Sequence, residues 1–187
     1  MRINVLGLLD AARFLPSPNS DARPPGVAVE LLVIHNISLP PGVFTGNAVC
    51  DLFLNRLDPD AHPYFAEIAA LRVSAHFFVR RDGEIIQFVP CIRRAWHAGL
   101  SQWQGRQRCN DFSLGIELEG TDHEPYTDPQ YERLIALARA IHAAYPIRDT
   151  VGHCDIAPGR KTDPGQAFDW SRYRRGLMVS GPASFPD

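Results

Sequence analysis

VAVELLVIH, residues 27 to 35, constrains the fold of this chain more than any other stretch. Its aliphatic and β-branched side chains run on almost without a polar interruption, which reads as a buried strand. The stretch predicts His35 at the C-terminal end of that strand. A side chain so placed is held by a rigid element and still reaches a loop-lined cleft.

Other elements assemble around it. HFFVRRDGEIIQFV predicts a hairpin in which Asp82 and Gly83 supply the positive φ of a two-residue turn. FSLGIEL, residues 112 to 118, is a further strand, and AVCDLFLNR a short helix after the loop NISLPPGVFTGN. The strongest helix spans Pro129 to Tyr145, with Thr127 or Asp128 as cap and Tyr131, Leu134, Ile135, Ala138, Ile141 and Tyr145 on one face. A last helix includes DWSRYRRGL, whereas FLPSPNSDARPPG, residues 14 to 26, is expected to wander over the surface. Strands separated by helices predict an α/β or α+β fold on one sheet. At 187 residues, 45% apolar and 21% charged, with no repeat or low-complexity linker, a single domain over 1–187 is expected, with its core at about 10–176 and a flexible tail at 177–187.

Charge and cysteine usage narrow the function. A net charge of −2 with no Lys/Arg run argues against nucleic acid as a partner. Asp10 and Arg13 interrupt the N-terminal apolar stretch, so it does not read as a signal peptide, and no run of about 18 apolar residues predicts a membrane span. A cytoplasmic protein is expected, with scattered Cys50, Cys91, Cys109 and Cys154 as free thiols.

The candidate chemistry is spread along the chain. His35, His153 and Asp163 offer two imidazoles and a carboxylate, a three-ligand Zn²⁺ set that leaves a fourth position for water. A histidine at a strand end is also commonly a hydrogen-bonding residue, and an aspartate before proline a turn former, so spacing alone leaves both readings open. Cys154 is set aside as a ligand because, in an extended segment, it points opposite to His153. In SLGIELEG, Glu117 and Glu119 share one strand face, and either could serve as general base or simply line a solvated face. Lys161, two residues before Asp163, could donate to an oxyanion.

Taken together, LLVIHNISLPPGVF, DPDAHPYF, LRVSAHFFVRRDGEIIQFVP, RAWHAGLSQWQGRQRCNDFSLGIELEGTD, YTDPQYERL and VGHCDIAPGRKTDPGQAFDW resemble the AmpD family of cytoplasmic 1,6-anhydro-N-acetylmuramyl-L-alanine amidases. The resemblance implies the type 2 amidase and peptidoglycan-recognition fold, a central mixed sheet flanked by helices. It implies zinc on His35, His153 and Asp163, Glu117 as catalytic acid/base and Lys161 on the oxyanion. The implied reaction cuts the amide between the lactyl group of 1,6-anhydro-N-acetylmuramic acid and the L-alanine of the stem peptide, recycling cell-wall fragments and lowering the inducing signal for β-lactamase. Anhydromuropeptides are then the small-molecule partners of a monomer. Asn36, Trp96 and His97 are the expected substrate contacts, with Arg72 and Arg108 pairing with stem-peptide carboxylates. The competing readings are a peptidoglycan-binding module without catalysis and an amidase of broader specificity for murein. A complete set of ligands, acid/base and cation argues against the first.

Overall fold

A computed structural model of the chain describes residues 1–178. In chain order the elements are β1 (Arg13–Phe14), β2 (Ser20–Ala22), β3 (Leu31–Ile37), α1 (Ala48–Phe53), α2 (Pro63–Ile68), β4 (Phe77–Val79), β5 (Ile85–Gln87) and β6 (Arg93–Ala95). There follow β7 (Gln102–Trp103), β8 (Arg106–Gln107), β9 (Ser113–Glu119), α3 (Asp128–Ala144), β10 (Asp149–Gly152), α4 (His153–Ile156) and α5 (Trp170–Met178). Six strands form one mixed sheet in the order β1-β5-β4-β9-β3-β10, antiparallel only between β5 and β4. The expected α/β architecture of a mixed sheet with helices is what the chain adopts.

Alternation along β3 and β9 decides what each face of the sheet carries. Leu32, Ile34, Leu114, Ile116 and Leu118 pack with Tyr131, Leu134, Leu137, Ala138 and Ile141 of α3 in one core. The opposite face of β9 presents Ser113, Gly115, Glu117 and Glu119, because successive side chains point to opposite sides of a strand. Further along that face, Phe78, Ile86 and Phe88 pack under α1 and α2 with Val49, Leu52, Phe53 and Phe65. Each buried leucine or phenylalanine adds roughly 1.5–3 kcal/mol of transfer free energy, so these two layers hold the sheet rigid beneath any site built on it.

α3 starts where predicted. Thr127 Oγ1 accepts from Gln130 N–H, and the Gln130 amide reaches back to the Thr127 N–H, satisfying two donors at the helix start. The buried Gln130 Nε2 also donates to the carbonyls of Val79 and Glu119, which ties the helix to the ends of β4 and β9.

Several expectations need correction. The first long strand begins at Leu31 and continues through Asn36 and Ile37, so His35 lies inside it; hydrogen bonding to Leu118 and Glu119 on β9 carries the strand past the end of its apolar run. The hairpin turn has positive φ at Gly83 alone, and Gly83 N–H closes it on Arg80 C=O. Residues 14–26 do not wander. Leu15 and Ser17 N–H donate to Gln87 and Phe88 C=O, β2 pairs with β6, and Asn19 is buried. Leu177 and Met178, assigned to the tail, belong to α5; the remainder of that predicted tail, 179–187, lies outside the described residues. Among the described residues no helix is long and apolar enough to cross a membrane.

Candidate metal centre and cleft

Parallel pairing places His35 directly beside Glu117, and β10 runs on the other side of β3 with Gly152 opposite Ile34. The next residue, His153, opens α4 and so arrives beside His35. The chain then turns through 157–165 and returns: Lys161 N–H donates to Ala157 C=O, and Cys154 N–H donates to Asp163 C=O at 3.0 Å. The result is a triangle. His35 Nδ1 lies 3.0 Å from both His153 Nδ1 and Asp163 Oδ2, and His153 Nδ1 lies 3.1 Å from the same carboxylate oxygen.

This donor set fits a metal ion. His153 Nε2 sits 3.2 Å from the Ala98 carbonyl, which can only accept, so the ring proton belongs on Nε2 and a lone pair points inward. Two acceptors, His153 Nδ1 and Asp163 Oδ2, therefore face each other, a contact that a cation between them relieves. The triangle's edges are close to the roughly 3.3 Å separating ligands held at about 2.0 Å from a tetrahedral Zn²⁺. His35, His153 and Asp163 form the group of potential metal ligands found among the described residues.

The electrostatics agree with that geometry. Burial drives the His35 pKa down to about 4 against the opposing pull of Asp163, so the ring is neutral and free to ligate near pH 7. Burial would raise Asp163, but its close contacts with the His153 and His35 rings hold its carboxyl well below the usual range. Glu117 is pushed well above the ordinary carboxylate range, first by burial, then by the charge of Asp163, with Lys161 opposing. Its Oε2 is buried and has no hydrogen-bond partner. Such a carboxylate is poised to take a proton.

These groups open into a cleft of about 640 Å³. Leu39, Leu52, Tyr64, Ile68 and Leu71 line an apolar wall, while Asp122, Arg160, Lys161 and Thr162 line a polar one. Lys161 is exposed on that polar side. Asn36 and Trp96 reach the cleft as expected; the Asn36 amide donates to Asp122 Oδ1 at 2.8 Å and to Pro164 C=O at 3.1 Å. His97 also lines it, but both ring nitrogens are engaged, by His35 Nε2 at 2.9 Å and Ser113 Oγ at 3.1 Å. Arg72 and Arg108 are not among the lining residues. Arg72 caps the carbonyls of Ala69 and Leu71, and Arg108 is exposed and pairs with Asp111. Cys154 stays outside the ligand group, although it sits on helix α4 rather than in the extended segment expected for it.

Sequence reasoning missed the groups that hold the site from behind. Ala98 contributes only a carbonyl, which accepts from His153 and from Arg160. The Tyr126 hydroxyl donates to Pro164 C=O at 2.8 Å, steadying the segment that carries Asp163. No residue-type signal marks either, since a backbone oxygen is present at every position and the tyrosine acts across 38 residues.

A buried carboxylate beside a His–His–Asp group that could hold a metal ion, lining a cleft on a mixed sheet, is the arrangement expected of a metal-assisted hydrolase. The family model described as "N-acetylmuramoyl-L-alanine amidase" matches residues 25–166, and the chain belongs to that family. It is 62% identical over 176 residues to the 1,6-anhydro-N-acetylmuramyl-L-alanine amidase AmpD of Escherichia coli strain K12, covering 93% of this chain and 95% of that protein. Its structure matches that of a selenomethionine derivative of AmpD with a TM-score of 0.93, at 57% identity over 95% of this chain and 100% of the other. A complex of the amidase AmiD from E. coli with anhydro-N-acetylmuramic acid-L-Ala-D-γ-Glu-L-Lys is similar at 31% identity and a TM-score of 0.59, covering 90% of this chain and 60% of that one.

Proposed function

We propose that the chain is one zinc-dependent amidase domain that hydrolyses the bond between the lactyl group of 1,6-anhydro-N-acetylmuramic acid and L-alanine of the stem peptide. The reading is supported most by the buried Glu117 carboxylate, whose Oε2 has no hydrogen-bond partner, paired in register with His35 of the three-donor cluster. The near-complete similarity to AmpD supports the substrate.

His35, His153 and Asp163 would hold the ion. Zinc so bound supplies Lewis acidity to a carbonyl and lowers the pKa of a water towards about 7. Glu117, whose raised pKa makes it a ready proton acceptor, takes a proton from the attacking water and returns it to the leaving alanine nitrogen. Lys161, on the polar wall, donates to the oxyanion that develops on the lactyl carbonyl. Asn36 and Trp96 contact substrate from the cleft walls, and Arg72 and Arg108, outside the lining, reach stem-peptide carboxylates that project beyond it.

The setting we infer is cytoplasmic recycling of cell-wall fragments by a monomer, with a lowered β-lactamase-inducing signal as its consequence. Four free, unpaired cysteines suit a reducing compartment. The test is incubation of purified protein with anhydromuropeptide and with ordinary muropeptide, following free stem peptide by mass spectrometry. Release from the anhydro sugar with little from the ordinary one is expected. Equal release from both supports the broader-specificity reading instead, and release from neither the binding module.

A further inference from the structure

The face of β9 that carries Glu117 has a gap two residues earlier, at Gly115. A Cβ on Gly115 would lie 2.6 Å from Cγ and Nδ1 of the His97 ring, closer than any side chain allows. The His97 imidazole is thus seated flat on a bare stretch of backbone, between Ser113 and Glu117 on the same strand face. Only glycine leaves that seat, and the ring that fills it touches a ligand: His97 Nδ1 is 2.9 Å from His35 Nε2. The two rings meet edge to face, with centroids 5.0 Å apart.

We propose that His97 is a positioning residue for His35, locking its orientation and tautomer for metal binding, with Gly115 and Ser113 as the seat. The inference rests on the metal-centre reading above and assigns His97 a role behind the ligand in place of the expected substrate contact. Each neutral imidazole carries one proton and one lone pair. When His35 Nδ1 gives its lone pair to the ion, its proton stands on Nε2 and is donated to His97 Nδ1. His97 must then carry its own proton on Nε2, which it donates to Ser113 Oγ at 3.1 Å. His153 is held in the matching tautomer by the Ala98 carbonyl. Both imidazole ligands therefore have a fixed acceptor behind them, one a backbone oxygen and the other a second imidazole. Acceptors in this position typically contribute 10–100-fold to metal affinity by fixing the ring and raising its basicity.

The test uses the full chain and zinc ion itself. Zinc affinity is measured by competition with a chromophoric chelator for the wild type, His97→Phe, which keeps a ring in the seat but offers no acceptor, and His97→Gln, which restores one. ¹⁵N spectra of the zinc-loaded proteins report the His35 tautomer. The expected result is a roughly 10–100-fold loss of zinc affinity in His97→Phe, partial recovery in His97→Gln, and a broadened or shifted His35 Nε2 signal in the phenylalanine variant. Gly115→Ala, which displaces the ring, should weaken zinc in the same direction. Wild-type affinity and an unchanged His35 signal in His97→Phe would overturn the inference, most plainly if KM alone rose, as for a substrate contact. A wild type that binds no zinc overturns the metal reading first, so the two failures are distinguishable.

Discussion

Two carboxylates two residues apart on β9 have opposite surroundings. Glu117, in the middle of the sheet beside His35, is buried with one oxygen unpartnered. Glu119, at the strand's end, is also buried, yet it accepts from Arg81 N–H at 3.0 Å and lies 3.9 Å from the Arg80 guanidinium. Burial raises the pKa of both, but only at Glu119 do a backbone hydrogen bond and Arg80 oppose it. A carboxylate whose needs are met by its own protein fastens the β4–β5 turn to the sheet; one left unmet in the lining of a cleft is free to act on what enters it. The difference separates structure from chemistry on a single strand.

Glu117→Gln breaks the comparison most severely. With the proposed proton acceptor gone, kcat should fall by about 10²–10⁴-fold while metal content stays at the wild-type level, checked by steady-state kinetics and elemental analysis of one preparation. A near-normal kcat would remove Glu117 from the mechanism. Lys161→Met removes the donor proposed for the oxyanion and should lower kcat by about 10²–10³-fold, again with metal retained.

Glu119→Gln sharpens the contrast from the other side. It should leave kcat within a few-fold and lower stability by about 1–3 kcal/mol, read as a melting-temperature drop of several degrees. A large loss of turnover with unchanged stability would reverse the roles of the two glutamates.

A smaller effect concerns pH. Because the folded-state pKa of Glu117 lies above its unfolded value, its protonated form favours the fold; that contribution is full below the unfolded pKa of 4.5 and is lost as pH rises through the folded one. Metal-free wild type should therefore lose stability relative to metal-free Glu117→Gln as pH rises above 4.5. Parallel curves in denaturant melts across that range would contradict the burial argument. Smallest of all, Arg108→Ala should change stability by no more than about 1 kcal/mol, since the Asp111 pair it breaks is exposed on the arginine side. Its proposed contact with a stem-peptide carboxylate predicts that KM rises in this variant while kcat holds.

Much of this was legible in the sequence because it rests on side-chain type and local pattern. The α3 stripe and Thr127 cap announced the helix, and the two glutamates in SLGIELEG lie on one face as alternation required. His35, His153 and Asp163 stood out as metal-ligating types, though only the β10-β3-β9 order brings them together with Glu117. What escaped was whatever depended on backbone partners. His35 was expected at a strand end because the apolar run stops there, but pairing continues for two more residues. The Pro-rich segment 14–26 was expected to be loose, yet the Arg23 guanidinium donates to the carbonyls of Asn110, Asp111 and Ser113, acceptors that composition does not reveal. His97 read as a cleft residue because nothing in AWHAG indicates that its ring is seated on a glycine eighteen positions further along.

The most direct measurement is product release from anhydromuropeptide as zinc is removed by graded chelation and then restored, with metal content determined in every sample. Release should fall in proportion to bound metal, approach the uncatalysed level in the metal-free protein, and return on adding one equivalent of Zn²⁺. Undiminished release from protein stripped of metal would contradict the proposed role of His35, His153 and Asp163.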